Sequence, residues 1–125
     1  MLRLSETEFE ELVVAALDTL PEELLQLMNN VEVTVDRVPS RQQMRQAGIR
    51  SGTLLGLYEG IPLTARHSSS YSLVVPDKIT IFQRSIEGIC STQDEIVEQV
   101  RKTVIHEVAH HFGIGEERLR ELGWG

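Results

Sequence analysis

"HEVAHHFGIGEERL", residues 106–119, gathers three of the chain's four histidines, three glutamates and two glycines into fourteen positions. The segment leading into it, from Ser91 or Thr92 to about His111, has the pattern of one long helix. Asp94 and Glu95 fall in its first turn, where negative charge favours the helix dipole. At ~100° per residue, Val97, Val100, Val104, Val108 and Phe112 lie on one arc, the predicted core stripe. His106 and His110 lie on the other side, with Thr103 beside them. His111 returns to the core arc and is expected to be a satisfied structural histidine.

Two histidines four apart are one helical turn from each other, so both rings can reach a single ion. Neutral imidazole suits zinc, which catalytic sites hold with three protein ligands and an open position. Glu107 points ~100° away from His106 around the helix. From there it can act as a general base at the open position without filling it. "HEVAH" is thus an HExxH pattern. A longer helix could not bring a third ligand back, because ten residues advance ~15 Å. Gly113 is free to take a left-handed conformation that ends the helix, and Gly115 eases the turn. Glu116 is then the expected third ligand. Glu117 is a second candidate for that place, and otherwise a solvent-facing acid at the start of a last helix, "EERLREL". Trp124 is expected to pack against that helix.

Upstream, Ser5 and Glu8 read as a capping box opening a helix over residues 6–19, with Phe9, Leu12, Val13, Ala16 and Leu17 inward. Pro21 suits the first turn of a second helix, "PEELLQLMN". "VEVTVDRV" alternates as a strand with one buried face. Residues 38–52 read as a long loop. "TLLGLYEG" reads as a short strand entering a turn at Gly60 and Pro62, and "KITIFQR" as another strand. "RHSSSYS" is an expected exposed loop, and "SIEGIC" a short helical turn. Helix pairs, three strands and a long helix give an α+β layout, one domain over residues 1–125, with helices covering a small mixed sheet.

Composition narrows the function classes. The chain has 125 residues, 41% of them apolar, and a net charge of −7. That charge argues against general nucleic-acid binding. Arg37, Arg41, Arg45 and Arg50 form a local basic stretch, read as a solvated loop. The lone cysteine, Cys90, excludes an internal disulfide and fits a reducing, cytoplasmic setting. No basic group or histidine near it in sequence would activate it. Four glutamates in the first eleven residues are the wrong chemistry for a targeting peptide. "LVVAAL" is far short of the ~20 residues of a membrane span. His67 is read as a loop residue, and Tyr58 and Tyr71 as buried or half-buried side chains.

"HEVAHHFG" followed by Glu116 resembles the extended zincin pattern HExxHxxGxx-ligand, shared with metzincins. The resemblance is closer to the bacterial minimal-zincin, or zincin-like metallopeptidase, family. It extends through "FEELVVAALDTLPEELL", "LLGLYEGIPLT", "PDKITIFQR" and "RKTVIHEVAHHFGI". It implies a compact zincin core, zinc on His106 and His110, and Glu107 as general base. At the third-ligand position it implies an acidic or small polar residue, commonly Asp; here that residue is Glu116. Only nine residues follow it, so no C-terminal subdomain or methionine turn is expected to wall the cleft. Two functions are therefore expected of this sequence. One is a zinc peptidase acting on a peptide or protein substrate. The other is a non-catalytic module that binds a peptide along an exposed sheet edge.

Overall fold

The structure, a computed structural model, describes residues 2–49, 52–60 and 76–124. Pro62, His67, Tyr71, Arg50 and the serine-rich loop lie outside the described residues. Helix α1 spans Glu6–Leu17 and α2 Glu22–Leu27. Strand β1 spans Val31–Asp36, α3 Arg41–Gln46, β2 Gly56–Glu59 and β3 Asp77–Phe82. Helix α4 covers Gln83–Glu87, α5 Gln93–His111 and α6 Glu116–Leu122.

The start of α1 is the expected capping box. Ser5 Oγ accepts the Glu8 N–H at 3.1 Å, and the Glu8 carboxylate accepts the Ser5 N–H at 3.0 Å. Phe9, Val13 and Ala16 are buried from this helix, while Leu12 and Leu17 are only partly so. It stops two residues earlier than the periodicity predicts.

The three strands lie in the order β1-β3-β2, with β1 parallel and β2 antiparallel to β3. The register places Val33 beside Ile79 and Val35 beside Ile81, with Tyr58 and Gly56 on the far side of the same two isoleucines. Side chains alternate between the faces of a sheet, so these residues share the face covered by helices. Ile79 and Ile81 are fully buried there in one cluster with Phe9, Leu24, Val100 and Val104. This is the α+β arrangement of helices on a small mixed sheet that the sequence predicts.

Residues 38–52 depart from expectation. They contain α3, opened by a second capping box in which Ser40 Oγ accepts the Gln43 N–H at 3.0 Å and Gln43 Oε1 accepts the Ser40 N–H at 2.8 Å. Gln43 also donates to Glu59 Oε1 at 3.2 Å, tying α3 to the end of β2. Helix α4 begins at Gln83, two residues before the expected turn. It carries a buried carboxylate: Glu87 accepts from the Leu4 N–H at 2.9 Å, from Gln83 at 3.1 Å and from Arg84 at 2.6 Å.

Along α5 the buried stripe is broader than predicted and differently ended. Ile96, Val100, Thr103, Val104, Ile105, Val108 and Ala109 are buried, and Val97 is half-buried. Thr103 lies under β2, not in the open beside the histidines. The stripe ends with Ala109, in the last turn of the helix. Phe112 is consequently 45% exposed, and His111 is exposed instead of sealed in the core. No helix among the described residues is long and apolar enough to cross a membrane.

Candidate metal centre

Helix α5 presents the HExxH residues, and both of its ends are fixed by local chemistry. At the start, Thr92 Oγ1 accepts the Glu95 N–H at 3.1 Å, and Glu95 reaches back to the Ser91 N–H at 2.8 Å. At the finish, Gly113 adopts φ 72°, the left-handed conformation predicted for it. The Gly113 N–H bonds the His110 carbonyl at 3.2 Å and the Ile114 N–H bonds the Ala109 carbonyl at 2.7 Å. This paired pattern is the Schellman termination, in which a left-handed residue lets the chain turn back over the helix end. Gly115 then serves as N-cap of α6, so Glu116 begins that helix.

His106, Glu107, His110 and His111 line a cleft of about 440 Å³ with Gly56 and Tyr58 of β2. Gln46 and Ala47, at the end of α3, also line it. His106 and His110 are exposed, and no hydrogen bond or ion pair engages either ring among the described residues. Two uncommitted imidazoles one turn apart are chemically suited to a borderline-soft cation such as zinc.

Glu107 is half-buried beside them, and its Oε1 accepts the backbone N–H of Tyr58 at 3.0 Å. That donor is available because of strand register. The Leu55 carbonyl accepts the Phe82 N–H at 3.0 Å, and antiparallel ladder bonds fall on every second residue. Leu57 and Glu59 thus face β3, while the backbones of Gly56 and Tyr58 face away from it. Beyond the carboxylate, His111 stacks on the Tyr58 ring with centroids 3.9 Å apart and planes 16° from parallel. The Tyr58 hydroxyl donates to Asp77 Oδ2 at 2.7 Å, and His111 Nε2 lies 3.9 Å from that same oxygen. Tyr58 is therefore a half-buried residue, as expected, but one built into the site's wall. Asp77 was not singled out by the sequence, because nothing in "PDKITIF" marks a strand-leading acid as a partner of residues in β2 and α5.

Glu116 stands elsewhere. It lines a second hollow of about 280 Å³ on the other side of His106, with Lys102, Ile105, Leu119, Arg120 and Trp124. Among the described residues no three His, Cys, Asp or Glu side chains are gathered closely enough to hold a metal ion. The turn at Gly113 brings Glu116 back toward His106 but does not gather it with both histidines here. Trp124 packs on α6 as expected, its N–H bonding the Leu119 carbonyl at 2.9 Å, and is buried. Cys90 is buried too; burial, with the nearby charge of Glu95 adding to it, pushes its thiol up, away from nucleophilic chemistry.

Comparison with known proteins gives the same direction. The sequence pattern of the family described as zincin-like metallopeptidase matches residues 28–124. A solved structure described as a conserved hypothetical protein from Thermo thermophilus is similar over 87% of this chain and 94% of that one. Its TM-score is 0.55 at 20% sequence identity, a likeness of fold alone. No curated protein matches the chain.

Proposed function

The chain belongs to the zincin-like metallopeptidase family, and on that premise we propose that it is a zinc-dependent peptidase with Glu107 as general base. The observation that carries this reading is the placement of Glu107. One of its oxygens is anchored on the Tyr58 N–H, and its half-buried carboxylate shares a cleft with two unengaged histidines. A base fixed by one oxygen and available at the other is positioned to take a proton without wandering.

His106 and His110 would hold zinc, and Glu116, which lines the neighbouring hollow together with His106, is the candidate third ligand. Bound zinc would supply Lewis acidity, polarising the scissile carbonyl and acidifying the attacking water. The residues of this chain then divide the remaining work. The backbone of Gly56 faces away from β3 along the cleft, where an extended peptide can pair with the edge of β2. The Tyr58 N–H is already taken by Glu107, so pairing falls to the Gly56 groups. Glu107 takes a proton from the attacking water as its oxygen bonds the peptide carbon. It then passes that proton to the amine nitrogen as the carbon–nitrogen bond breaks. The substrate class is a peptide or protein segment in extended form. A cytoplasmic setting accords with a sole cysteine that can form no internal disulfide.

Cleavage of a broad peptide library by the zinc-reconstituted full chain tests the proposal, with Glu107→Gln as the control. The amide can still accept the Tyr58 N–H, so the variant keeps the anchor and loses only the base. Activity should drop by about 10²–10⁴-fold with zinc retained. Equal cleavage by both proteins would remove Glu107 from the chemistry. Peptide capture without cleavage by either would instead favour the binding module.

A further inference from the structure

The hollow between α5 and α6 adjoins the cleft, and the peptidase reading uses only His106 and Glu116 of it. Each helix contributes residues at i, i+3 and i+4, which fall on one face. Lys102, Ile105 and His106 come from α5, and Glu116, Leu119 and Arg120 from α6. Ile105, Leu119 and Trp124 are buried, so the sealed part of the lining is apolar. Lys102 and Arg120 are exposed. Such side chains lay their stems along apolar surface and keep the charged head toward water. Neither head has an ion pair or hydrogen bond among the described residues, although the chain carries 19 acids against 12 lysines and arginines. The hollow, at about 280 Å³, falls just under the ~300 Å³ at which sites for drug-sized ligands begin. It suits a single residue. His106 lines both this hollow and the cleft that holds Glu107.

We infer that this hollow receives the C-terminal residue of a peptide, its apolar side chain against Ile105, Leu119 and Trp124 and its free carboxylate toward Lys102 and Arg120. The inference deepens the peptidase reading and rests on it for the fate of the bound end. A terminal residue carries an apolar chain and an anion on the same Cα, which matches an apolar lining beside two uncommitted cations. An internal apolar residue lacks the charge. An aspartate or glutamate would instead drive its charge into the apolar lining, at a desolvation cost. Glu116 is the one acid lining the hollow, and its charge opposes an anionic ligand. One residue of extended chain spans only ~3.3–3.6 Å, and His106 belongs to both spaces. The bond presented to Glu107 is therefore one or two residues from the free end, which lies on the leaving side. The water oxygen bonds the carbonyl carbon, and the carbon–nitrogen bond breaks. The proton taken by Glu107 goes to the nitrogen of the leaving amino acid or dipeptide. The substrate class is thus peptides with a free, apolar C-terminal residue, trimmed from that end.

Trp124 is the chain's only tryptophan and lines the hollow, so its emission in the metal-free full chain reports occupancy. N-acetyl-leucine should change that emission saturably. Lys102→Gln and Arg120→Gln should each weaken its binding by about two- to fivefold, the range of an exposed ion pair. Glu116→Gln should tighten it by a similar factor. All three residues are exposed, so the variants keep the fold. N-acetyl-leucinamide, which lacks the charge, should bind about tenfold more weakly than the acid, and none of the three replacements should alter its binding. N-acetyl-glycine, with the charge but no side chain, should also lose about tenfold or more. The α-amide of N-acetyl-glutamate, whose carboxylate is on the side chain, should bind no better than the leucinamide. Equal responses to acid and amide in the parent and all three variants would overturn the inference, as would tighter binding of the glutamate amide than of N-acetyl-leucine. Binding with the stated charge dependence upholds the hollow's role whether or not any peptide is cleaved. Cleavage of internal bonds without regard to a free end, with no response of Trp124, overturns it and leaves the peptidase reading in place.

Discussion

Gly56 and Thr103 approach each other more closely than any side chain on residue 56 would permit. A β-carbon at Gly56 would sit 2.6 Å from Thr103 Cγ2 and 3.2 Å from the Thr80 carbonyl oxygen. Glycine in a strand often marks such a close approach. Here it lets β2 lie directly on α5, the contact on which the cleft depends.

Gly56→Ala should therefore cost about 1–3 kcal/mol, the usual range for forcing a methyl into a filled space. Thr103→Ser in the same chain should recover part of that loss, since it deletes Cγ2 while keeping the hydroxyl that donates to the Gln99 carbonyl at 2.8 Å. Urea denaturation of the two variants against the parent checks both statements. Additive losses in the double variant would mean that the two residues do not share this contact.

The buried carboxylate of Glu87 makes a prediction about acid. Burial alone would raise this group, but hydrogen bonds from Gln83, the Leu4 N–H and Arg84, with the Arg84 charge, outweigh it and hold the carboxyl below its ordinary value. A depressed folded-state value means that stability is fully present above the unfolded value of about 4.3. It is lost as pH falls through the lower, folded value. Glu87→Gln should cost about 1–3 kcal/mol at pH 7, and the gap from the parent should shrink as the solution is acidified toward pH ~3. Denaturation midpoints measured across that range give the test. A gap independent of pH would show that the Glu87 charge contributes nothing.

The turn at Gly113 links backbone conformation to the third ligand. Its φ of 72° is one that β-branched residues resist, although the space around it is open. Gly113→Val should weaken zinc binding without altering any ligand. Glu116→Ala should weaken it similarly and Glu117→Ala should not. Zinc titrations of the three variants decide the matter; an unchanged affinity in Glu116→Ala would leave the third place to water or another group.

How far these features were legible in the sequence depends on how local their causes are. The caps at Ser5 and Thr92, the valine alternation of β1 and the left-handed Gly113 each follow from a few neighbouring residues, and all are present. The Ser40–Gln43 cap is equally local. It does not by itself predict a helix, because the segment around it, rich in arginine and glutamine, has no apolar periodicity. The position of His111 was not legible in this way. A helical wheel gives its direction, but not which residue of β2 lies beneath it, and that is set by the pairing of β2 with β3. The contacts of Glu107 with Tyr58 and of Tyr58 with Asp77 join residues distant in sequence. No spacing within one segment could reveal them. The Glu116 position shows the same limit: the turn was readable, while the place its side chain reaches depends on how α6 packs.

Zinc stoichiometry of the purified, reconstituted full chain at neutral pH tests the central claim most directly, read alongside His106→Ala and His110→Ala. Both histidines are exposed, so either replacement should leave the fold intact while removing the metal. The account predicts about one zinc per parent chain, as expected of a single catalytic site, and its loss from both variants. A parent chain that takes up no zinc, or variants that keep it, would contradict a metal centre on His106 and His110.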